Sequence, residues 1–216
     1  MAVRRSGRAR RVSLKVDVRI GGVELVLPKR ASMKSGMAFV REQREWIAAR
    51  LSEMPPIVQL ADGAVLPLRG VAHRVRHRPD RRGTVWVEDG EIHVAGASEH
   101  LPRRLTDWLK TQARNDLRVR ANDYAAELDV RLGGITIRDT RSRWGSCSNS
   151  GRLSFSWRLV MAPGWVLDYV AAHEVAHLKE MSHNARFWRM VDRLYPNRHR
   201  AEAWLREHGN RLQTIA

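Results

Sequence analysis

Apolar and polar residues alternate with a period of two at the start of the chain. The apolar positions of this stretch, RVSLKVDVRIGGVELVLP, are Val12, Leu14, Val16, Val18, Ile20, Val23, Leu25 and Leu27. The pair Gly21–Gly22 divides them, and two alternating strands joined by two glycines are typical of a β-hairpin. The period then changes to that of a helix, which the apolar residues Met37, Val40, Ile47 and Leu51 predict. The helix covers residues 36–53 and ends before Pro55–Pro56.

Short strands are predicted between this helix and Pro102. Three turn-forming pairs, Asp62–Gly63, Arg82–Gly83 and Asp89–Gly90, divide the stretch. The predicted strands are residues 57–60, 64–78, 84–88 and 91–95. Residues 1–100 therefore form a β-rich region with one helix.

Helical spacing returns after Pro102 and predicts a long helix that is closed by Gly133–Gly134. Its apolar positions are Leu105, Leu109, Leu117, Ala121, Tyr124 and Leu128. Two strands follow, over residues 135–139 and 152–160, and then three helices, over residues 163–181, 184–194 and 198–208. Residues 101–216 are thus a second domain with a small sheet and several helices, and the fold class is α+β.

Alternation within residues 152–158 places Leu153, Phe155 and Trp157 on one face and Arg152, Ser154 and Ser156 on the other. One face should pack, and the other should meet solvent or a ligand. This strand either forms an edge that pairs with an extended peptide or completes the sheet.

The chain is strongly basic, with 39 Lys and Arg against 23 Asp and Glu and a formal net charge of +16. Residues 1–102 (19 basic, 11 acidic) and residues 103–216 (20 basic, 12 acidic) each contribute +8. The densest basic stretches are residues 4–19 and 69–83. This charge favours anionic partners such as nucleic acid or nucleotides, but a solvated surface is the simpler interpretation.

The sequence predicts a cytoplasmic protein with no membrane partner. No apolar run approaches the roughly 20 residues that a membrane-spanning helix needs, and the basic N-terminus is not followed by the apolar segment of a secretion signal. The single cysteine, Cys147, cannot form an internal disulfide and fits a reducing compartment.

The stretch HEVAHLKEMSH, residues 173–183, contains three histidines and a glutamate. On a helix, His173 and His177 project from one face about one turn apart, so that two ring nitrogens reach one metal ion. Glu174 lies about 100° round the helix, close enough to touch a metal-bound water without being a ligand. Zinc with three protein ligands lowers the pKa of such a water to about 7, and Glu174 is then the general base.

A third ligand is needed, and His183 is the candidate. It follows His177 by six positions, so the chain must turn after about Met181 to bring it back to the metal. A glycine midway would make that turn easy, but the residue there is Glu180. Glu180 and Asp192 are substitute ligands. Zinc is the preferred cofactor of the three-histidine set, although cobalt, nickel or copper would also bind in vitro.

The alternative is an ordinary helix that carries histidines. Burying His173 and His177 together would then require hydrogen-bond partners, which their apolar neighbours Val170 and Ala176 do not supply.

Four stretches together resemble the YgjP-like metallopeptidase family: RSRWGSC (141–147), LSFSWRLVMAP (153–163), LDYVAAHEVAHL (167–178) and SHNARFW (182–188). The N-terminal hairpin and the FVREQREWI helix fit the same family more loosely. The resemblance implies a zincin-like catalytic domain, with zinc on His173, His177 and His183 and with Glu174 as base. The spacing to His183 and the pair Phe187–Trp188 also resemble the WLM and SprT-like metalloproteases, which act on DNA-bound proteins.

The stretch RSRWGSC has two interpretations. In the functional one, Arg141 or Arg143 stabilises negative charge that develops near the metal. In the structural one, which is the simpler, Trp144 and Cys147 are in the core and the arginines hold a loop in place. Cys147 as a fourth ligand would close the site to substrate.

These residues favour a zinc-dependent peptidase that acts on peptides or proteins. One alternative is a metal-dependent hydrolase of nucleotides or other phosphoanhydrides, in which Arg141, Arg143 and Arg152 hold phosphates. The other is a protein that associates with nucleic acid through its basic surface, with or without proteolysis.

Overall fold

The structure is a computed structural model that describes residues 1–17, 20–140 and 143–216. The chain divides into two compact units, one of residues 1–58 with 213–216 and one of residues 59–212. Helices and strands occur in both units, which confirms the predicted α+β class. The predicted boundary between a β-rich region (residues 1–100) and a catalytic domain (residues 101–216) stays a prediction.

The N-terminal unit contains a three-stranded sheet in the order β1–β3–β2. Strands β2 (Ser13–Asp17) and β3 (Gly22–Pro28) form the predicted antiparallel hairpin. Gly21 has a φ of 57°, a value that glycine adopts readily. Strand β1 (Ala2–Ser6), which the pattern did not predict, pairs in parallel with β3. Val18, a predicted hairpin residue, lies outside the described residues.

Two helices follow, α1 (Met33–Glu42) and α2 (Arg44–Ser52), where the sequence predicted one. The break lies at Gln43, whose ψ of 14° departs from the helical value. The apolar spacing does not reveal this break, because Val40 in α1 and Ile47 in α2 are seven residues apart, as they would be on one face of a continuous helix. The strand predicted over residues 57–60 was also wrong, since Val58 makes only a single bridge with Ile215.

A four-stranded sheet opens the second unit, in the order β4–β5–β7–β6. Its strands are β4 (Val65–Leu68), β5 (Val71–Arg78), β6 (Val85–Glu88) and β7 (Glu91–Ala95). The single strand predicted over residues 64–78 was wrong, because it is a hairpin that turns at Arg69–Gly70. Both turn residues have positive φ, 51° and 84°, as a type I′ turn requires. An ion pair of 2.8 Å between Arg69 and Asp116 holds this turn.

The long helix α3 (Leu101–Glu127) confirms the predicted helix, but it ends at Glu127 and not at Gly133–Gly134. It packs against β8 of the third sheet. That sheet contains β8 (Ile135–Arg138), β9 (Gly145–Cys147) and β10 (Leu153–Ser156), in the order β8–β10–β9.

The structure corrects the predicted extent of the strand at residues 152–160 and decides between the two alternatives for its place in the sheet. The strand predicted over residues 152–160 ends at Ser156 and continues as a 3₁₀ helix, Trp157–Met161, which is buried on all sides. Strand β10 lies between β8 and β9, so it completes the sheet, which was one of the two predicted alternatives, and β8 and β9 are the edges. Arg158 is only 1% exposed, because it forms an ion pair with Asp139 and lies over the ring of Trp157.

Three helices complete the second unit: α4 (Gly164–Ala176), α5 (Ala185–Leu194) and α6 (Arg198–Gln213). Helix α4 is shorter than the predicted 163–181, whereas α5 and α6 confirm the predicted final pair. Among the described residues, no helix combines the length and the apolar character needed to cross a membrane.

Candidate metal centre

Helix α4 carries the first two histidines. His173 lies in its last turn, and His177 is the C-cap residue, with φ −62° and ψ −19°. Because His177 keeps a helical conformation, the two rings lie on one face, with centroids 5.1 Å apart. Apolar residues surround most of α4, so both histidines are held in the interior of this unit.

The chain returns to the histidines earlier than the sequence predicted, and without a glycine. None of the described residues 177–184 has a positive φ. The Glu180 carboxylate accepts hydrogen bonds from the backbone N–H (3.2 Å) and the hydroxyl (2.7 Å) of Ser182. Asn184 then caps α5, because its side-chain oxygen accepts from the N–H groups of Arg186 and Phe187. Glu180 therefore stabilises the turn that a glycine would otherwise make easy.

This turn brings His183 to the other two histidines. Its ring centroid lies 5.1 Å from that of His173 and 4.7 Å from that of His177. One nitrogen from each ring lies within 4.8 Å of the other two, an arrangement that can hold a metal ion. Two imidazole nitrogens on one tetrahedral zinc, each 2.0–2.1 Å away, would be about 3.3 Å apart. The Nε2 atoms of His173 and His183 are 3.1 Å apart, which fits that geometry closely.

Hydrogen bonds orient the rings of His173 and His177. The Nδ1–H of His177 donates to the carbonyl oxygen of Glu180 at 3.0 Å, which leaves its Nε2 unprotonated. The Nδ1 of His173 lies 3.4 Å from the hydroxyl of Tyr169, which itself donates to Glu202 at 3.0 Å. Partners of this kind fix the tautomer of a metal-binding histidine and raise its basicity.

Aromatic rings from α5 close the opposite side of the cluster. Phe187 stacks on His177, with centroids 4.4 Å apart, and Trp188 stacks on His183 at 5.5 Å. The guanidinium of Arg198 lies 4.5 Å from the centre of the Trp188 ring. These contacts exclude solvent from one side of the histidines.

Burial favours the neutral form of His173 and His177, as metal binding requires. It lowers the pKa of His173 to about 3, and the neighbouring His177 and His183 lower it further. Burial also lowers the pKa of His177.

Glu174 is buried beside the histidines, with 6% of its surface exposed. Burial raises its pKa to about 7, although the charge of Arg143 opposes the shift. Gly145 of β9 makes room for it, because a Cβ at position 145 would lie 2.5 Å from Oε1 and 2.6 Å from Cγ of Glu174. Any side chain there would displace either the strand or the carboxylate.

Strand β9 borders the site along its edge. The cavity beside the histidines, the metal cavity, has a volume of about 280 Å³. It is lined by Gly145, Ser146, Cys147, His173, Glu174, His177, Met181 and His183. Within the described residues β9 pairs only with β10, so its other edge is available beside this cavity.

The remaining predicted residues have different positions. Arg143 is exposed, and its carbonyl oxygen accepts a hydrogen bond of 2.7 Å from the hydroxyl of Thr140. Arg141 lies outside the described residues. Cys147 is half-buried, and burial raises the pKa of its thiol. Asp192 forms an ion pair of 2.6 Å with Arg198 and is not in the histidine cluster.

Sequence reasoning missed three residues of this site: Gly145, Tyr169 and Glu202. The sequence could have predicted Tyr169, because it precedes His173 by four positions and therefore lies on the same helical face. Glu202 is on α6, thirty-three positions after Tyr169, and nothing in the sequence pattern connects the two.

A search of curated proteins found no significant match. Among solved structures, the chain is similar to the metallopeptidase zymogen of Pyrococcus abyssi abylysin, with 21% identity and a TM-score of 0.39, over 46% of this chain and 97% of that one. A family profile described as YgjP-like, metallopeptidase domain, matches residues 10–208. The chain therefore belongs to the YgjP-like metallopeptidase family.

Proposed function

We propose that this protein is a zinc-dependent peptidase in which His173, His177 and His183 bind the ion and Glu174 is the general base. The observation that carries the proposal is the convergence of three imidazoles next to a buried carboxylate, at the edge of a strand. Membership of a metallopeptidase family supports a peptide or protein substrate.

The donor set supports zinc. Three neutral imidazoles without a carboxylate favour zinc and its first-row neighbours over magnesium or calcium, which prefer oxygen ligands. With three protein ligands, a tetrahedral ion keeps one position open for the reaction. Zinc bound there would supply Lewis acidity towards a water molecule and towards the carbonyl oxygen of the substrate.

Glu174 then performs the proton transfers. Its carboxylate lines the metal cavity, and no described residue donates a hydrogen bond to it, so both oxygens are available to a reactant. It accepts the proton of the attacking water as the new C–O bond forms, and it delivers that proton to the amine nitrogen as the C–N bond breaks. Arg143 is the candidate for stabilising the negative charge on the carbonyl oxygen, since its charge acts on Glu174 and its head group is exposed.

The substrate backbone is proposed to pair with β9. An extended peptide can add to an exposed strand edge through main-chain hydrogen bonds. Such a peptide would run past Gly145, where the absence of a side chain keeps Glu174 close to the strand. The sequence had offered residues 152–158 as one candidate for this edge, but β10 lies inside the sheet.

Zinc-loaded protein should cleave an unfolded protein such as reduced casein, and Glu174→Gln should keep one zinc ion while losing about 10²- to 10⁴-fold in rate. Electrophoresis and mass spectrometry measure cleavage, and elemental analysis measures zinc. Glu127→Gln, an exposed glutamate of α3, is the matched control. A Glu174→Gln variant as active as the wild type would remove the proposed mechanism.

The nucleotide and nucleic-acid alternatives stay predictions. In the basic stretch 69–83, several arginines have acidic partners: Arg69 pairs with Asp116, Arg76 with Glu91 and Arg78 with Asp80. A nucleoside triphosphate panel, tested beside casein, separates the two hydrolase functions. Phosphate release without peptide cleavage would favour the nucleotide hydrolase.

A further inference from the structure

Two more cavities adjoin the metal cavity, and together the three follow the chain from Trp144 to Gly151. One, of about 300 Å³, shares Gly145, His173 and Glu174 with the metal cavity. The other, of about 350 Å³, shares His177 and Met181. A peptide that pairs with β9 would therefore meet a different cavity on each side of the metal.

The two flanking cavities differ in chemistry. The first, the apolar cavity, has Trp144, Val170 and Leu205 in its wall, together with the carboxylates of Glu174 and Glu202. The second, the basic cavity, is lined by Arg131 and Lys179 together with Ser148, Asn149 and Ser150. No Asp or Glu lines the basic cavity.

Both cations of the basic cavity are available to a ligand. Arg131 and Lys179 are exposed, and neither forms an ion pair with any described residue.

The wall of the basic cavity is a well-fixed turn. The hydroxyl of Ser148 accepts from the backbone N–H of Arg152 at 3.1 Å, and the N–H of Gly133 donates to the carbonyl of Gly151 at 2.9 Å. Gly133 is so close to this turn that a Cβ there would lie 2.5 Å from the carbonyl oxygen of Ser150. The position of the polar residues 148–150 relative to Arg131 is thus held by the backbone.

We propose that the basic cavity binds a carboxylate group of the substrate, next to the bond that is cleaved. A guanidinium and an ammonium in one cavity with the side-chain amide of Asn149 match a carboxylate, and they repel a lysine or arginine side chain. The inference rests on the proposed peptidase function, since it assigns one subsite of that cleft.

Two groups of a peptide substrate can supply this carboxylate. It is either the side chain of an Asp or Glu, in which case the enzyme cleaves internal bonds near acidic residues, or the C-terminus of the substrate, in which case it removes terminal residues. A volume of about 350 Å³ admits either group.

Peptide binding tests the subsite without depending on catalysis. The zinc-loaded Glu174→Gln variant is titrated with nine-residue Ala/Ser peptides that carry one Glu, Gln or Lys at each position in turn, with a free or an amidated C-terminus. We expect a carboxylate at one position to tighten the Kd by about tenfold over its neutral equivalent, because two partly exposed ion pairs contribute on this scale. If the Kd depends on the position of Glu, the cavity binds a side-chain carboxylate. If amidation of the C-terminus weakens binding, the cavity binds the terminal carboxylate.

Charge reversal provides the control. In the Glu174→Gln variant, the further substitutions Arg131→Glu and Lys179→Glu should abolish the preference for a carboxylate. The altered cavity should then prefer the Lys peptide. Arg103→Glu with Lys110→Glu, on the exposed face of α3, makes the same change in net charge and should leave the preference intact. Equal Kd values for the Glu, Gln and Lys peptides with either terminus, or a preference that survives the reversal at 131 and 179, would overturn the proposal. Casein cleavage by the wild type reports separately on the peptidase function.

Discussion

Two histidine pairs in this chain have the same spacing and different outcomes. His73 and His77 are four positions apart, as are His173 and His177. The first pair is on strand β5, where four residues span about 13 Å. The second pair is on α4 and its C-cap, where four residues make about one turn and the ring centroids are 5.1 Å apart. Spacing alone therefore does not predict a metal site, because the element that carries the residues decides whether their nitrogens can meet.

Hydrogen bonding increases the difference between the pairs. On the strand, the Nδ1 of His73 contacts the carbonyl oxygen of Val71 at 2.8 Å, and the Nε2 of His77 contacts that of Gly96 at 2.6 Å. In the helical pair, the Nδ1 atoms contact the hydroxyl of Tyr169 and the carbonyl oxygen of Glu180, whereas the Nε2 of His173 faces the Nε2 of His183 at 3.1 Å. The helical pair also gains His183 as a third nitrogen.

The largest expected effect comes from removing a ligand of the helical pair. His177→Ala should lose nearly all bound zinc and all hydrolysis, because two nitrogens leave the ion short of the three protein ligands of a catalytic site. His77→Ala, at the equivalent position of the strand pair, should keep one zinc ion per chain and full activity. Elemental analysis after dialysis measures both. Equal zinc loss in the two variants would show that spacing, and not the helix, determines binding.

The second effect tests the close approach of β9 to the helical pair. Gly145→Ala should keep zinc but reduce hydrolysis by about a hundredfold, since the new Cβ would collide with Glu174 and move the general base. Gly164→Ala, at the first residue of α4, is the control, because a Cβ there meets no atom within 4 Å. Unchanged activity in Gly145→Ala would mean that the carboxylate position is not critical.

Local patterns predicted the parts of the site that lie within one element. The HExxH spacing identified His173, Glu174 and His177, because a helix converts a four-residue interval into a shared face. The sequence pattern could not predict the parts of the site that depend on contacts between elements. The pattern did not contain the pairing of β9 with β10, the end of α4 at Ala176, or the approach of Glu202 from another helix.

Conformation at single residues explains the other differences from the sequence-based fold. Arg69 and Gly70 turn the chain in the middle of an alternating stretch, and an arginine with positive φ gives no signal in sequence. Residues 152–159 alternate as a strand would, yet Trp157, Arg158 and Leu159 are all buried in the 3₁₀ helix, so alternation did not indicate a solvent-facing side.

A smaller effect is expected from the tyrosine hydroxyl that contacts His173 of the helical pair. Tyr169→Phe removes the hydroxyl between His173 and Glu202 and should weaken zinc binding by about tenfold, within the range for such partners. Tyr124→Phe, on α3, is the matched control and should leave the affinity unchanged. Competition with a zinc chelator measures the affinity of each variant, and equal affinities in the two variants would exclude a role for the Tyr169 hydroxyl in orienting His173.

The smallest effect concerns the return of the chain to the third histidine. Asn184→Ala removes the cap of α5 and should lower the free energy of unfolding by about 1 kcal/mol. Because His183 directly precedes this cap, zinc affinity should also fall, by a few fold. Ser32→Ala, which removes the cap of α1 in the N-terminal unit, should cost similar stability and leave zinc affinity unchanged. Denaturant unfolding and chelator competition measure the two quantities. Equal zinc affinity in both variants would mean that the turn at residues 177–184 positions His183 without help from α5. A lower zinc affinity only in Asn184→Ala would mean that the first turn of α5 helps to position His183.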